Sequence, residues 1–214
     1  MPKITAPLLS FDASGQIAKT QVYSKWKGRP YVRRYVVPEN PNTAGQQLTR
    51  NTFAFLNNLW KFLPAGAIGA WTQYADASRF TNRNGWLKQN VGPLRTETDL
   101  LNIVLSTAAG SGLIAAGLAV TPGAGSLELA LTAPTLPAGW SIVMAHALAV
   151  RNVDPQTSDI YDVGSATDNS APYAPTITGL TASEEYVCGG WFQFLKPNGD
   201  SAYGVSLQDV GTPS

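Results

Sequence analysis

The sequence predicts an α+β N-terminal domain, a short β meander plus helices over residues 1–112, followed by an all-β sandwich over residues 113–214. Three observations carry this expectation. Charge divides the chain: residues 1–112 hold thirteen Lys and Arg against five Asp and Glu, net +8, while residues 113–214 hold two against nine, net −7. Apolar residues recur at helical spacing between about 43 and 63. The last hundred residues read as short alternating runs separated by turn signals.

At 214 residues the chain is long enough for two modest domains, each able to bury a core. Hydrophobic residues make up 44% and charged residues 14%, with 20 glycines and 15 prolines, which suits a turn-rich β protein better than a helical bundle or a disordered tail. A single cysteine forms no internal disulfide and a single histidine supplies no zinc site, so the fold is expected to stand on packing, with no metal or cofactor. The first eleven residues, MPKITAPLLSF, lack the apolar run of a signal peptide, so synthesis in the cytoplasm of a host cell is expected. Leu100 to Leu127 is free of charge, yet Asn102, Ser106, Thr107, Ser111 and several glycines interrupt it without a basic flank, and no membrane span is expected.

In the N-terminal half, Gly15 within FDASGQ (11–16) and the pair Lys27-Gly28 supply turns, so residues 7–37 read as a meander of short strands. Strand alternation puts Tyr31, Arg33 and Tyr35 on one face and Val32, Arg34 and Val36 on the other. Long basic side chains on both faces leave such a ribbon only partly covered by its own domain and oppose uncontrolled edge pairing. Pro38 and Pro41 end the strand, and Thr43-x-x-Gln46 matches a capping box. A helix over about 43–63 follows, with Leu48, Phe55, Leu56, Leu59, Trp60 and Leu63 on its apolar stripe, closed by Pro64. Residues 67–77 and 82–90 read as shorter helical pieces, each with a tryptophan assigned to the core. LLNIVLS (100–106) could continue as helix, but its Ile-Val-Leu content and the glycines after it favour a strand returning to the sheet.

In the C-terminal half, GLAVTPGAGSLELALTAP (117–134) gives a strand, a Pro-Gly turn and a second strand in which Leu127, Leu129 and Leu131 alternate with Glu128 and Ala130. GWSIVMAHALAVRN places Trp140, Ile142, Met144, His146, Leu148 and Val150 on one parity, and the last two strands join around Asn198-Gly199. LTASEEY, with Leu180 and Tyr186 six apart, resembles the tyrosine corner of fibronectin type III and immunoglobulin-like modules, in which the phenol bonds back to the chain. VTPGAGSLELALTAP is similar to the first two strands of that fold, with Leu131 where many members carry tryptophan. The whole chain also resembles an uncharacterised two-domain family of bacterial and phage genomes, through KWKGRPYVRR, NPNTAGQQLTRNTF and GWFQFLKPNGDSAYGVSL. That resemblance implies a tailed-phage virion component.

Residues able to carry chemistry are few and scattered. His146 sits among apolar residues of its strand and has no nucleophile to pair with, and Cys188 shares the inward parity of Tyr186, Gly190 and Phe192. Asp154, Asp159 and Asp162 fall in a stretch without the spacing of a calcium loop, Glu184-Glu185 read as turn residues, and Gly123-x-Gly125 lacks the rest of a phosphate-binding loop. The expectation is therefore a non-enzymatic structural protein of a tailed bacteriophage virion, a capsid decoration or minor capsid protein, or alternatively a tail component. Its partner-binding residues are Lys25, Trp26, Lys27, Arg29, Tyr31, Arg33 and Arg34, meeting other virion proteins and further copies of the chain. A glycan-binding module using loop residues 154–162 and an exposed Trp191, and single-strand nucleic-acid binding by the same basic ribbon, are the alternatives from other classes.

Overall fold

The computed structural model describes residues 14–37, 39–40, 42–97, 99–107, 110–156 and 162–214. Pro38, Pro41 and Asp159 lie outside them, as does most of the stretch expected to turn before Gly15. The chain divides into two compact units, Met1–Asn42 and Thr43–Ser214. The first contains β1 (Gly15–Ile17), β2 (Gln21–Trp26) and β3 (Arg29–Arg34), an antiparallel sheet in that order. Lys27 and Gly28, at φ 49° and 76°, form the expected two-residue hairpin turn, whose left-handed backbone matches the strand twist. Gly15 belongs to β1 instead of a turn. The chain reverses at Ala18 and Lys19, also at positive φ, and Thr20 N–H donates to the Ile17 carbonyl at 2.9 Å.

The second unit opens with α1 (Ala44–Leu59), a 3₁₀ turn (Trp60–Phe62), α2 (Ala65–Ser78) and α3 (Asn82–Leu94). Thr43 is the N-cap of α1, but the capping box does not form: its side chain makes no cap bond, and the Gln46 amide donates to the Thr43 carbonyl at 2.9 Å. The expected stripe does turn inward, with Phe55, Leu56, Leu59 and Leu63 buried. Both helical tryptophans are fully buried, each satisfying its indole N–H on a carbonyl: Trp71 on Leu105 at 3.1 Å and Trp86 on Leu56 at 3.3 Å.

Among the described residues nine strands follow: β4 (Gly110–Ile114), β5 (Gly117–Gly123), β6 (Ser126–Thr132), β7 (Ser141–Arg151), β8 (Val163–Asp168), β9 (Thr176–Thr178), β10 (Tyr186–Leu195), β11 (Ser201–Val205) and β12 (Leu207–Gly211). One sheet runs β4-β11-β10-β7-β8, with β12 also on β10; the other runs β5-β6-β9. They pack as the expected sandwich. Leu127, Leu129 and Ile177 meet Ala147, Ala149, Tyr186 and Cys188, and Leu131 meets Ala145, Phe192 and Phe194.

The opposite face of the large sheet is covered by the helices. Leu148 and Val150 of β7 and Val187 and Trp191 of β10 share one core with Phe55, Leu56, Leu59, Trp71, Trp86 and Leu94. The second unit thus has three layers, and β10 is buried on both faces. Gly189 and Gly190 mark the closest approach: a Cβ at the first would stand 2.3 Å from Leu105, and at the second 2.8 Å from Leu131 on the other side. The expected domain boundary at 112/113 does not coincide with the division into compact units at 42/43, because helices and sandwich share that core.

Three local expectations change. Residues 100–106 are not a strand, although Leu100, Ile103 and Leu105 are buried. Side chains take the place of a ladder: Asn152 Oδ1 accepts from Leu100 N, Asn90 Oδ1 from Val104 N at 2.7 Å, and Ser206 Oγ from Leu105 N and Ser106 N. The β5–β6 turn falls at Ala124-Gly125, with Pro122 inside the edge strand β5, where a missing N–H costs no ladder bond. A bulge near Val143 breaks the single parity assigned to β7, so that Trp140 and Ile142 join the sandwich core while Met144, His146, Leu148 and Val150 keep the other register.

Candidate functional site

The β2–β3 hairpin pairs Trp26 with Arg29, Lys25 with Pro30, Ser24 with Tyr31, Tyr23 with Val32, Val22 with Arg33 and Gln21 with Arg34. Directly opposed residues share a face. Trp26, Arg29, Tyr31 and Arg33 therefore stand together on one side, Lys25 and Arg34 occupy the other, and Lys27 sits in the turn. The seven residues expected from the sequence are brought to one hairpin but not to one face. Trp26 is 67% exposed, and Lys27 Nζ lies 5.0 Å from its ring centroid, a cation–π contact at the tip.

None of residues 14–37 is buried. The same segment carries Lys19, Lys25, Lys27, Arg29, Arg33 and Arg34 with no acidic residue. Several of its apolar side chains are left outward: Ile17 is 44% exposed, and Val36 and Val37, just beyond β3, are 64% and 68% exposed, while Val22 and Val32 are half-buried.

The remaining candidates are structural. His146 is buried and its ring stacks on Trp191, with centroids 5.5 Å apart and planes 17° apart. Its Nε2 lies 3.2 Å from Gln193 Oε1. Burial lowers its pKa more than that hydrogen bond raises it, so the ring is neutral at pH 7. Trp191 is completely buried and cannot be the exposed platform of the glycan expectation. Cys188 is buried in the sandwich, where desolvation and then Asp209 push its thiol up to about 12.

Tyr186 forms the expected corner: its Oη accepts from Thr181 N at 2.9 Å and donates to Asp162 Oδ2. Asp162 also accepts from Thr181 Oγ1 at 2.6 Å. Burial raises the Asp162 pKa, but the bonds from Thr181 and Tyr186 and the Arg151 charge outweigh it and hold the carboxyl below its ordinary value. Asp162 is thus committed to the corner. Glu184 bridges to Arg151, and Glu185 accepts from Asn152 Nδ2 at 2.5 Å. Among the described residues no group of three His, Cys, Asp or Glu could hold a metal.

Sequence reasoning left Phe53 and Phe80 unassigned. Both are exposed, at 44% and 43%. The signal was available for Phe53, which lies about 100° around α1 from the buried Thr52.

No family model matches the chain, and no curated protein matches it. Solved structures similar to part of it include a computationally redesigned β-sandwich protein, 16% identical, covering 46% of this chain and 86% of its own, with a TM-score of 0.32. A second is a myokine, 15% identical, covering 46% of this chain and 94% of its own, with a TM-score of 0.30.

Proposed function

We propose that this protein is a non-enzymatic structural protein that grips a neighbouring subunit through its β2–β3 ribbon. The assembly is the virion of a tailed bacteriophage, where the chain serves as a capsid decoration or minor capsid protein, with a tail position as the alternative. One observation supports the reading above others: the ribbon buries none of its described residues while carrying six basic side chains and no acidic one between residues 14 and 37. Ordering a backbone costs on the order of 1–2 kcal/mol per residue. A three-stranded sheet without a buried face has little to set against that cost, so covering by a partner stabilises it. An acidic neighbour would desolvate Trp26 and Tyr31 and hold the arginines by charge-assisted hydrogen bonds that fix register.

The test is the double substitution Arg33→Glu, Arg34→Glu, which reverses charge on both faces of β3 and leaves the buried cores untouched. The expected product is folded and soluble but absent from purified particles; incorporation at the wild-type level refutes the ribbon as the grip. A second reading, single-stranded nucleic acid, is favoured by the shared face of Trp26, Arg29, Tyr31 and Arg33, since bases stack on aromatics between phosphate-pairing cations. Filter binding across a salt series separates the two. Phosphate contacts by the two arginines of that face give a log–log slope of roughly −1.4 on a single strand, and no binding at low salt eliminates this reading.

A further inference from the structure

The outer face of α1 and α3 has the chemistry of a second interface. A groove there is lined by Phe53 of α1 and by Asn84, Leu87, Lys88, Val91 and Gly92 of α3. Lys88, which lines the groove with Phe53, holds its Nζ 4.6 Å from the centroid of a second exposed phenylalanine, Phe80. Beside them Arg83 Nε donates to Asn57 Oδ1 at 2.9 Å, which fixes the guanidinium across α1 and α3. Neither α1 nor α3 contains an acidic residue, and residues 44–95 as a whole carry six basic side chains against Asp76 alone. Exposed aromatics rimmed by a single sign of charge mark a surface selected for contact with the opposite sign.

We infer that this face docks on the sandwich of a second copy of the chain. The argument is charge complementarity: residues 113–214 hold nine acidic residues against two basic ones, and Glu128, Glu185, Asp200 and Asp209 are exposed. Glu128 lies between the inward-facing Leu127 and Leu129 of β6, so strand alternation turns its carboxylate to the outer face of the β5-β6-β9 sheet. A contact between unlike faces of identical chains is heterologous and propagates into a ring or a filament instead of stopping at a dimer. The ribbon is not involved, so this inference stands or falls apart from the grip proposed above.

Sedimentation velocity on the full chain tests it, at concentrations up to about 100 µM, where a Kd in that range is visible. Raising salt from about 0.01 M to about 1 M shortens the screening length from about 30 Å to about 3 Å. Species larger than a dimer are expected at low salt and are expected to dissociate at high salt, with at least a tenfold weaker association constant. Lys88→Glu and Phe53→Ser each weaken association at least tenfold at low salt. Both positions are exposed, and an unchanged thermal melt certifies the fold. Arg33→Glu, Arg34→Glu associates as wild type. A monomer under all conditions overturns the inference. So does association that strengthens with salt, which would mean that the phenylalanine face pairs with itself, and so does association lost with the ribbon arginines but kept by Lys88→Glu and Phe53→Ser.

Discussion

Replacing Gly66 by alanine probes how closely α2 is pressed against the sheet. In an unobstructed helix, glycine to alanine stabilises by roughly 0.5–1 kcal/mol, because glycine loses more backbone freedom on folding. At Gly66 the added methyl would stand 2.4 Å from Cε1, 2.6 Å from Nε2 and 2.7 Å from Nδ1 of His146. That imidazole is held by its stack on Trp191 and its contact with Gln193, so relief requires α2 to lift or the stack to break. With three ring atoms inside 3.0 Å the overpacking cost falls in the upper part of the usual range, about 2–3 kcal/mol, which exceeds the backbone gain and leaves a net loss of about 1–2 kcal/mol. In a unit of this size that lowers the melting temperature by roughly 2–8 °C. Gly45 of α1 is the control: nothing lies within 4 Å of its virtual Cβ, so Gly45→Ala is expected to be neutral or mildly stabilising. Urea denaturation of both variants reads the difference in midpoint at constant slope. A Gly66→Ala protein at least as stable as wild type would falsify the close contact between α2 and His146.

Two further outcomes follow from buried polar groups. The native His146 pKa is lowered, so below about pH 6.5 the unfolded chain binds a proton that the native one does not. Stability from this residue is complete above that pH and declines as pH falls toward the native value, with a limiting slope of about 1.4 kcal/mol per pH unit. Urea midpoints of His146→Leu should depend less on pH than wild type between about pH 6.5 and 5, and parallel curves would show that the ring is not held neutral. Tyr186→Phe removes the acceptor for Thr181 N and the donor to Asp162, and is expected to cost about 1–3 kcal/mol in the same assay; an unchanged midpoint would mean that the corner contributes nothing.

The sandwich was legible because its signals are local. Leu127, Leu129 and Leu131 alternate, Asn198-Gly199 turns a hairpin, and Leu180 with Tyr186 announces a corner, each within a few residues. What escaped was set by distant partners. LLNIVLS has strand composition, but the side chains of Asn90, Asn152 and Ser206 answer its amides and let it run irregularly under the helices. The β7 bulge is invisible without β10 beside it. Trp191 looked exposed because a sandwich strand usually turns alternate residues to water, and nothing in the strand itself says that three helices cover that side. The ribbon was legible as basic and aromatic, and its lack of any buried described residue needed the structure.

The helix layer decides whether the sandwich can exist alone, and that can be put to the test by cutting the chain after residue 112. The C-terminal piece keeps the tyrosine corner and both sheets except for most of the edge strand β4, so the charge boundary in the sequence argues for independence. Its large sheet, however, would present Leu148, Val150, Val187 and Trp191 to water, all at 0–1% exposure when the helices are present. Burying a large apolar side chain is worth about 1.5–3 kcal/mol, so four of them represent roughly 6–12 kcal/mol. The whole stability of a domain is about 5–15 kcal/mol. Removing the helices therefore consumes most of it and leaves a continuous apolar sheet face open to aggregation. Residues 113–214 alone are expected to be insoluble or unfolded, whereas 43–214 unfolds in one cooperative transition by circular dichroism. Threonine in place of Val187 and Trp191 should recover soluble 113–214, since the face would then resemble a solvated strand. A soluble, cooperatively folded wild-type 113–214 would show that the helices only rest on a sandwich complete without them.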